Sequence, residues 1–353
     1  MKALKISRIV TVGCFVWVLV QVLPLTTALG SDFKPPDVVV LTAPGSTTAA
    51  SYVTGTALFG PIGKKTDVTF NIVPRASSHA GTVYMKQGKA QFGITNGSAA
   101  YQGVSGISDY KPMGPQSLRL VWRGGDVIMG FMARGDSGIK KWPDVKGRRV
   151  ATYKAYPGTH VFMEEGLAFA NLTWDDVIPT EAGSFGKGGR AVIDGAVDVA
   201  ITSIFGSLTY ELAASPHGLS ILPMPASDTA GWARLHEVMG SMYPITYTDG
   251  PGASKEGPVA TMAHDREIVA YDWTDEQLVY WLTKQIAESY DDFKDKHKVL
   301  VQWTVEHALR SETWAIPWHE GSVKYFKTAG VWTAEHEAKQ RKLLAKFPHR
   351  MTK

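Results

Sequence analysis

Asp37 to Leu41 is a compact run rich in β-branched residues and predicts a buried strand. The loop Pro44-Gly45-Ser46-Thr47-Thr48 follows. The pattern from Ala49 to Phe59 then predicts a helix, with Thr47 or Thr48 available as its N-cap. Val68 to Val73 predicts a second strand, and Ser77 or Ser78 can cap a helix running to about Gln87. Phe92 to Thr95 predicts a third strand. Strand and helix in strict alternation are the signature of a parallel sheet.

The alternation then repeats. Leu118 to Trp122 and Val127 to Ala133 predict two strands. Arg148 to Thr152 predicts another, followed by Pro157-Gly158-Thr159 and a helix through about Ala170. Val177 to Thr180 is a short strand, Lys187 to Asp194 is helical, and Val197 to Ile201 is again a strand. One further apolar run, Pro258 to Ala263, precedes a helical C-terminal part. There Thr274-Asp-Glu-Gln277 reads as a capping box, with Leu278, Trp281, Leu282 and Ile286 on one helical face. Two more helices are predicted over about His297 to Arg310 and Ala334 to Leu344. Two α/β units followed by a returning segment fit two lobes. Residues 31–131 with 239–353 form the first, and residues 132–238 form the second. The two chain crossings between them, near 132 and 240, would act as a hinge over a central cleft.

Composition supports a folded chain with an export leader. The 353 residues are 44% hydrophobic and 20% charged, an ordinary globular balance. Residues 1–8 are basic, residues 9–23 are apolar with one glutamine, and Ala28-Leu29-Gly30 supplies small residues, the layout of a cleavable signal peptide over residues 1–30. The apolar core is shorter than the roughly 20 residues a membrane span needs, so an uncleaved anchor is the weaker reading. Lipidation at Cys14 is disfavoured because the apolar run continues past it. The formal net charge is +4, and the leader carries three positive charges (Lys2, Lys5, Arg8) and no acid, so the remainder has a net charge of +1. That remainder shows no basic stripe of the kind nucleic-acid binders use, and no nucleic-acid partner is expected. The single cysteine, Cys14, lies in the leader, so disulfides, cysteine metal sites and cysteine nucleophiles are excluded from the rest. The rest of the chain is expected to be soluble outside the cytoplasmic membrane.

Ligands of open α/β sheets bind beyond the carboxyl ends of the strands, and the loops there carry the candidate chemistry. Ser46 and Thr47, Ser77 and Ser78, and Asn96 and Ser98 follow the first three strands; Tyr156, Thr159 and His160, and Ser203, follow strands of the second unit. A Ser or Thr hydroxyl beside free N–H groups of a helix start suits an anion. Any one such loop is equally explained as a helix cap, and the functional reading rests on their joint placement. Arg75 could hold a carboxylate with two parallel bonds, or simply pair with a surface acid. His160, one residue after Thr159, sits where a helix dipole disfavours a cation, so a neutral ring is expected.

Catalytic motifs do not emerge. The histidines lack metal-ligand spacing, His319-Glu320 lacks the second histidine of a zinc protease motif, and Gly186-Lys-Gly-Gly189 lacks the spacing of a phosphate loop. No catalytic residue, metal or cofactor is expected.

Four segments together resemble the TAXI family of solute-binding proteins of TRAP transporters. They are the Gly45-Ser46 loop; Ser137-Gly138-Ile139 with Asp144 to Val150; Asp194-Gly195-Ala196-Val197-Asp198-Val199-Ala200; and a C-terminal set. That set comprises Pro258-Val259-Ala260-Thr261, the helix from Thr274, and Pro317-Trp318-His319-Glu320-Gly321-Ser322-Val323-Lys324-Tyr325. The resemblance implies a two-lobed type II periplasmic binding protein, each lobe a mostly parallel sheet flanked by helices. It implies a monomeric receptor that is not an enzyme. Such a receptor closes on a small organic anion, a carboxylate or amino acid, and delivers it to TRAP transporter membrane subunits. Receptors of ATP-driven importers and some secreted enzymes share that fold and are the alternatives. This chain has Arg75-Ala76-Ser77-Ser78 where relatives carry a Thr-Gly-Gly-Ser-like loop, and Ser98 where an Asp often follows the third strand. One acid fewer and one arginine more imply a carboxylate or dicarboxylate without a critical amine.

Overall fold

The computed structural model describes residues 33–348. The leader, Cys14 and the expected cleavage at Ala28 to Gly30 lie outside the described residues. The first elements are β1 (Val38–Pro44), α1 (Ala50–Thr66), β2 (Thr69–Arg75), α2 (Ser78–Lys86), β3 (Phe92–Asn96) and α3 (Gly97–Ser105). β1 pairs in parallel with both β2 and β3. Helix α1 does not stop before Gly60-Pro61, as its pattern suggests, but runs through Pro61 to Thr66. A proline gives up one backbone donor, while Leu58, Phe59 and Ile62 keep their buried face on the sheet. Its N-cap is Ala49 rather than Thr47 or Thr48.

The two strands expected either side of Gly124-Gly125 are one strand of 17 residues, β4 (Leu118–Arg134). The chain continues through β5 (Arg149–Thr152), α4 (Pro157–Phe169), β6 (Ile178–Glu181), α5 (Phe185–Ile193), β7 (Ala200–Ser203), α6 (Ser207–Ala214), β8 (Leu219–Ile221), α7 (Thr229–Val238) and β9 (Tyr243–Tyr247). The apolar run ending at Ala263 belongs to β10 (Val259–Tyr271), which continues through His264-Asp265-Arg266-Glu267. Eight strands form one sheet in the order β2-β1-β3-β10-β4-β7, with β8 on β4 and β9 on β10. β5 and β6 pair in parallel beside it, touching β7 through a parallel bridge between Val150 and Val199. The result is an α/β fold.

β4 and β10 run antiparallel along the centre, with register shifts between Asp265 and Arg266 and between Ile268 and Val269. The first shift leaves an extra residue at Gly125, whose φ of 79° is the left-handed conformation a bulge glycine adopts. A Cβ on Gly124 would stand 2.6 Å from Cγ of Trp303, so the bare glycine lets that indole lie on the strand. Around the shift sits a buried charge network. Arg123 Nη2 pairs with Asp265, and Arg123 Nη1 donates to the Ala308 carbonyl at 3.0 Å. The Tyr243 hydroxyl lies 2.7 Å from both Asp126 Oδ1 and Asp265 Oδ1, and Arg310 Nη2 donates to Asp126 at 2.8 Å.

The C-terminal part is α8 (Glu276–Glu288), α9 (Tyr290–Phe293), α10 (Val305–Ala308), α11 (Glu320–Thr328) and α12 (Ala334–Lys346). Asp275, not Thr274, caps α8 by accepting from the Leu278 N–H at 2.8 Å. The helix expected over His297 to Arg310 is instead a 3₁₀ turn at Lys298–Gln302 and the short α10. The break falls at Trp303, which packs against Gly124, and Thr304 caps the new start. No helix among the described residues is long and apolar enough to cross a membrane.

Candidate functional site

The parallel register sets the first group of strand ends side by side. Pro44 is paired with Arg75, and β3 continues from the Leu41–Phe92 and Thr42–Gly93 pairs to Asn96. Ser46, Thr47, Arg75, Ser77, Ser78, Asn96 and Ser98 therefore belong to one edge of the sheet. Ser46 and Thr47 are exposed there, and the Ser46 hydroxyl bonds that of Thr48 at 2.9 Å. Ser77 caps α2 by accepting from the Ala80 N–H at 3.1 Å, and Ser78 opens the helix. Asn96 caps α3, its Oδ1 accepting from the Ala99 N–H at 2.9 Å. Arg75 lays its guanidinium 3.6 Å from the centre of the Tyr84 ring, an arrangement that holds its plane fixed. Its Nε is buried and carries no hydrogen bond among the described residues.

The second group forms at the ends of β5, β6 and β7. Thr152 pairs with Glu181 in the parallel β5–β6 ladder, and the Val150–Val199 bridge brings β7 alongside. Tyr156 is the exposed N-cap residue of α4, and Thr159 lies in its first turn. His160 stacks on Trp174 with ring centres 5.0 Å apart, and its Nδ1 accepts from the Tyr153 N–H at 3.3 Å. Ser203 ends β7, and its carbonyl accepts from the Thr209 hydroxyl at 2.8 Å. Phe205 packs on Tyr247, ring centres 5.9 Å apart.

The two groups meet through α3 and α4. Ser98 is buried, donating to Met239 Sδ at 3.6 Å and accepting from Gln102 Nε2 at 3.2 Å. Gln102 Nε2 also reaches the Gly158 carbonyl at 3.4 Å. Gln102 was not a sequence candidate, because a glutamine inside a helix carries no signal of what lies opposite it.

Beneath the start of α3 lie two further groups that the sequence reading passes over. A Cβ on Gly97 would stand 3.3 Å from Glu267 Oε1 and 3.5 Å from His264 Cβ. Burial pushes the Glu267 carboxyl up to about 7 against the lowering pull of Arg123. Burial, with Arg266 nearby, pushes the His264 imidazole down to about 3. β10 thus brings a buried acid beneath the start of α3. Its signal in the sequence is four consecutive ionisable residues inside an otherwise apolar run.

Asp126, Asp265 and His307 gather their ligand atoms within 4.8 Å of one another, a set of the kind that holds a metal ion. A cation already stands there: Arg310 Nη2 lies 2.8 Å from Asp126 Oδ1 and 3.4 Å from Asp265 Oδ1, and Arg123 holds the other Asp265 oxygen. Burial pushes the Asp126 carboxyl up, but Tyr243 and Arg310 more than offset it and hold it below the usual range. An open groove of about 1100 Å³ runs along α1, and of the eleven candidates only Thr47 lines it.

Solved structures similar to this chain include the periplasmic aliphatic sulphonate binding protein SsuA of Escherichia coli. It is 14% identical, with a TM-score of 0.45 covering 89% of this chain and 94% of that one. The alkanesulfonate-binding protein SsuA of Xanthomonas axonopodis pv. citri, bound to MOPS, is 14% identical with a TM-score of 0.44, covering 90% and 86%. A Xanthomonas citri protein bound to chloride ion is 14% identical with a TM-score of 0.48, covering 88% and 100%. The sequence profile of the NMT1-like family matches residues 42–330. That match takes in both groups of strand ends and the β4–β10 crossing, and the chain belongs to the NMT1-like family.

Proposed function

We propose that this chain is an extracytoplasmic solute-binding receptor of two lobes that captures a small organic anion between them. The observation that carries the reading is the pairing of two groups of strand ends across the α3–α4 contact. Helix starts in each group offer N–H groups to an anion. Arg75, held flat on Tyr84, adds a charge of fixed direction. β4 and β10 link the groups and serve as the hinge. A ligand shifts such lobes only by its differential affinity for the closed state, so contacts from both groups are required. The reading needs no catalytic residue and no cofactor. Delivery to a TRAP-type transporter rests on the C-terminal segment Pro317 to Tyr325, in which the His319 side chain caps α11.

The test is thermal unfolding of the purified protein against organic acids, each paired with its amino analogue because Glu267 lies behind Gly97. A ligand at 1,000 times its Kd adds about 4 kcal/mol to the folded state. A rise confined to one acid class is expected, and Arg75→Ala should cost about 1.5–3 kcal/mol of that binding. A flat panel after unfolding, washing and refolding would sink the receptor reading for these acids, and an unchanged affinity in Arg75→Ala would remove that residue's role. Uptake with the neighbouring membrane subunits then decides delivery. Dependence on an ion gradient supports TRAP delivery, and dependence on ATP overturns it.

A further inference from the structure

Gly158 lies inside α4, where no left-handed backbone requires a glycine and where alanine favours the helix more. What requires its bareness comes from the other group of strand ends. A Cβ at this position would stand 2.8 Å from Asp109 Oδ2 and 3.1 Å from Gln102 Oε1. Asp109 belongs to the 3₁₀ turn Ser108–Tyr110 that follows α3. Its carboxylate lies against the positive end of a 13-residue helix, where negative charge is favoured. Gln102, itself buried, bonds the Gly158 carbonyl and Ser98, and Ser98 bonds Met239 just beyond α7. Nearby, a Cβ on Gly240 would stand 3.2 Å from the Tyr101 hydroxyl.

We propose that Ser98, Gln102 and Asp109 on one lobe, Gly158 on the other and Met239 at the chain crossing form a closure latch, made wholly of protein atoms, that holds the lobes together without touching ligand. The proposal rests on the two-lobed receptor reading. Gln102 is a positioning residue within it. The start of α4 is then spent on lobe-to-lobe contact, and the ligand adds its own contacts to a closed state that already exists. The apparent affinity for any ligand scales with the fraction of molecules in that state.

Gly158→Ala separates closure from folding, because the added methyl favours α4 but collides with Asp109 and Gln102 only when the lobes are shut. Spin labels on Val53→Cys and Tyr210→Cys, both exposed, in a Cys14→Ser background report the distance between α1 and α6. Without ligand, the parent should show a short-distance population. Gly158→Ala should reduce it about fivefold, the share carried by one net hydrogen bond, with an unfolding midpoint unchanged or raised. Asp109→Ala added to Gly158→Ala should restore part of it. Should Gly158→Ala fold poorly, Gln102→Met, which keeps the volume and loses both bonds, should shift the distances in the same direction. Distances unchanged in both variants, or a parent showing the long distance alone, would overturn the latch. The readout needs no ligand, so a flat ligand panel and a failed latch are separate results.

Discussion

Neutralising Asp265 should destabilise this protein far more than neutralising an acid that is ion-paired on the surface. The Arg123 and Asp265 side chains are 0% and 1% exposed, whereas Lys65 and Asp292, paired at 3.2 Å, are each 48% exposed. Burial lowers the Arg123 guanidinium only to about 10, so it stays charged at neutral pH and must be answered from within. Removing one partner of a buried pair strands the other, at a cost of about 3–5 kcal/mol. An exposed pair contributes about 0–1 kcal/mol. For a chain of this size the unfolding entropy is about 0.7 kcal/mol per kelvin. Asp265→Asn should therefore lower the calorimetric midpoint by about 4–7 °C, and Asp292→Asn by less than about 2 °C. Adding Arg123→Met to Asp265→Asn should recover part of the loss, because the stranded charge is gone. If Asp265→Asn falls no further than Asp292→Asn, or the double variant is additive, the network does not hold the β4–β10 crossing together.

The glycine pair at the crossing gives a second test. Gly125→Ala forces a side chain into the left-handed region and should cost about 1–2 kcal/mol in urea unfolding. Gly124→Ala must displace an indole carbon 2.6 Å away, so it should cost about 1–3 kcal/mol and also alter the near-ultraviolet circular dichroism of Trp303. An unchanged aromatic spectrum would refute that packing. Stability should also depend on pH through buried groups of opposite sign. Burial holds His264 down at about 3 and His307 and His319 at about 4, so the stability they contribute is present above pH 6.5 and lost as pH falls toward those values. Glu267, raised from 4.5 to about 7, contributes stability below pH 4.5 that is lost as pH rises through 7. Glu267→Gln should therefore gain on the parent between pH 5 and 8 in a series of thermal midpoints, and a loss over that range would reverse the sign of the argument.

The elements readable in the sequence are those whose pattern is complete within themselves. β1, β2 and β3 are β-branched runs bounded by turn residues, and Ser77 stands where a cap should stand. The register that sets Ser46, Arg75 and Asn96 along one edge follows from that alternation, and so the candidate edge is legible too. β4 and β10 are not complete within themselves. Gly124-Gly125 reads as a break because a bulge and a turn call for the same residue, and only the antiparallel partner tells them apart. His264 to Glu267 reads as the end of a strand because apolar periodicity treats a charge as a request for water. Here the request is answered by Arg123, 142 residues away along the chain, and by Arg310, 45 away. Gly158 is obscure for the same reason, since its local context is a helix start and the atom that forbids a side chain is supplied by Asp109. The missed features share one physical cause: each is a contact whose other half lies on a distant segment. Charges of opposite sign that interrupt two apolar strands, Arg123 in one and Asp265 in the other, are nevertheless a readable pair. Neither could be buried alone, so each implies the other before any coordinates are known.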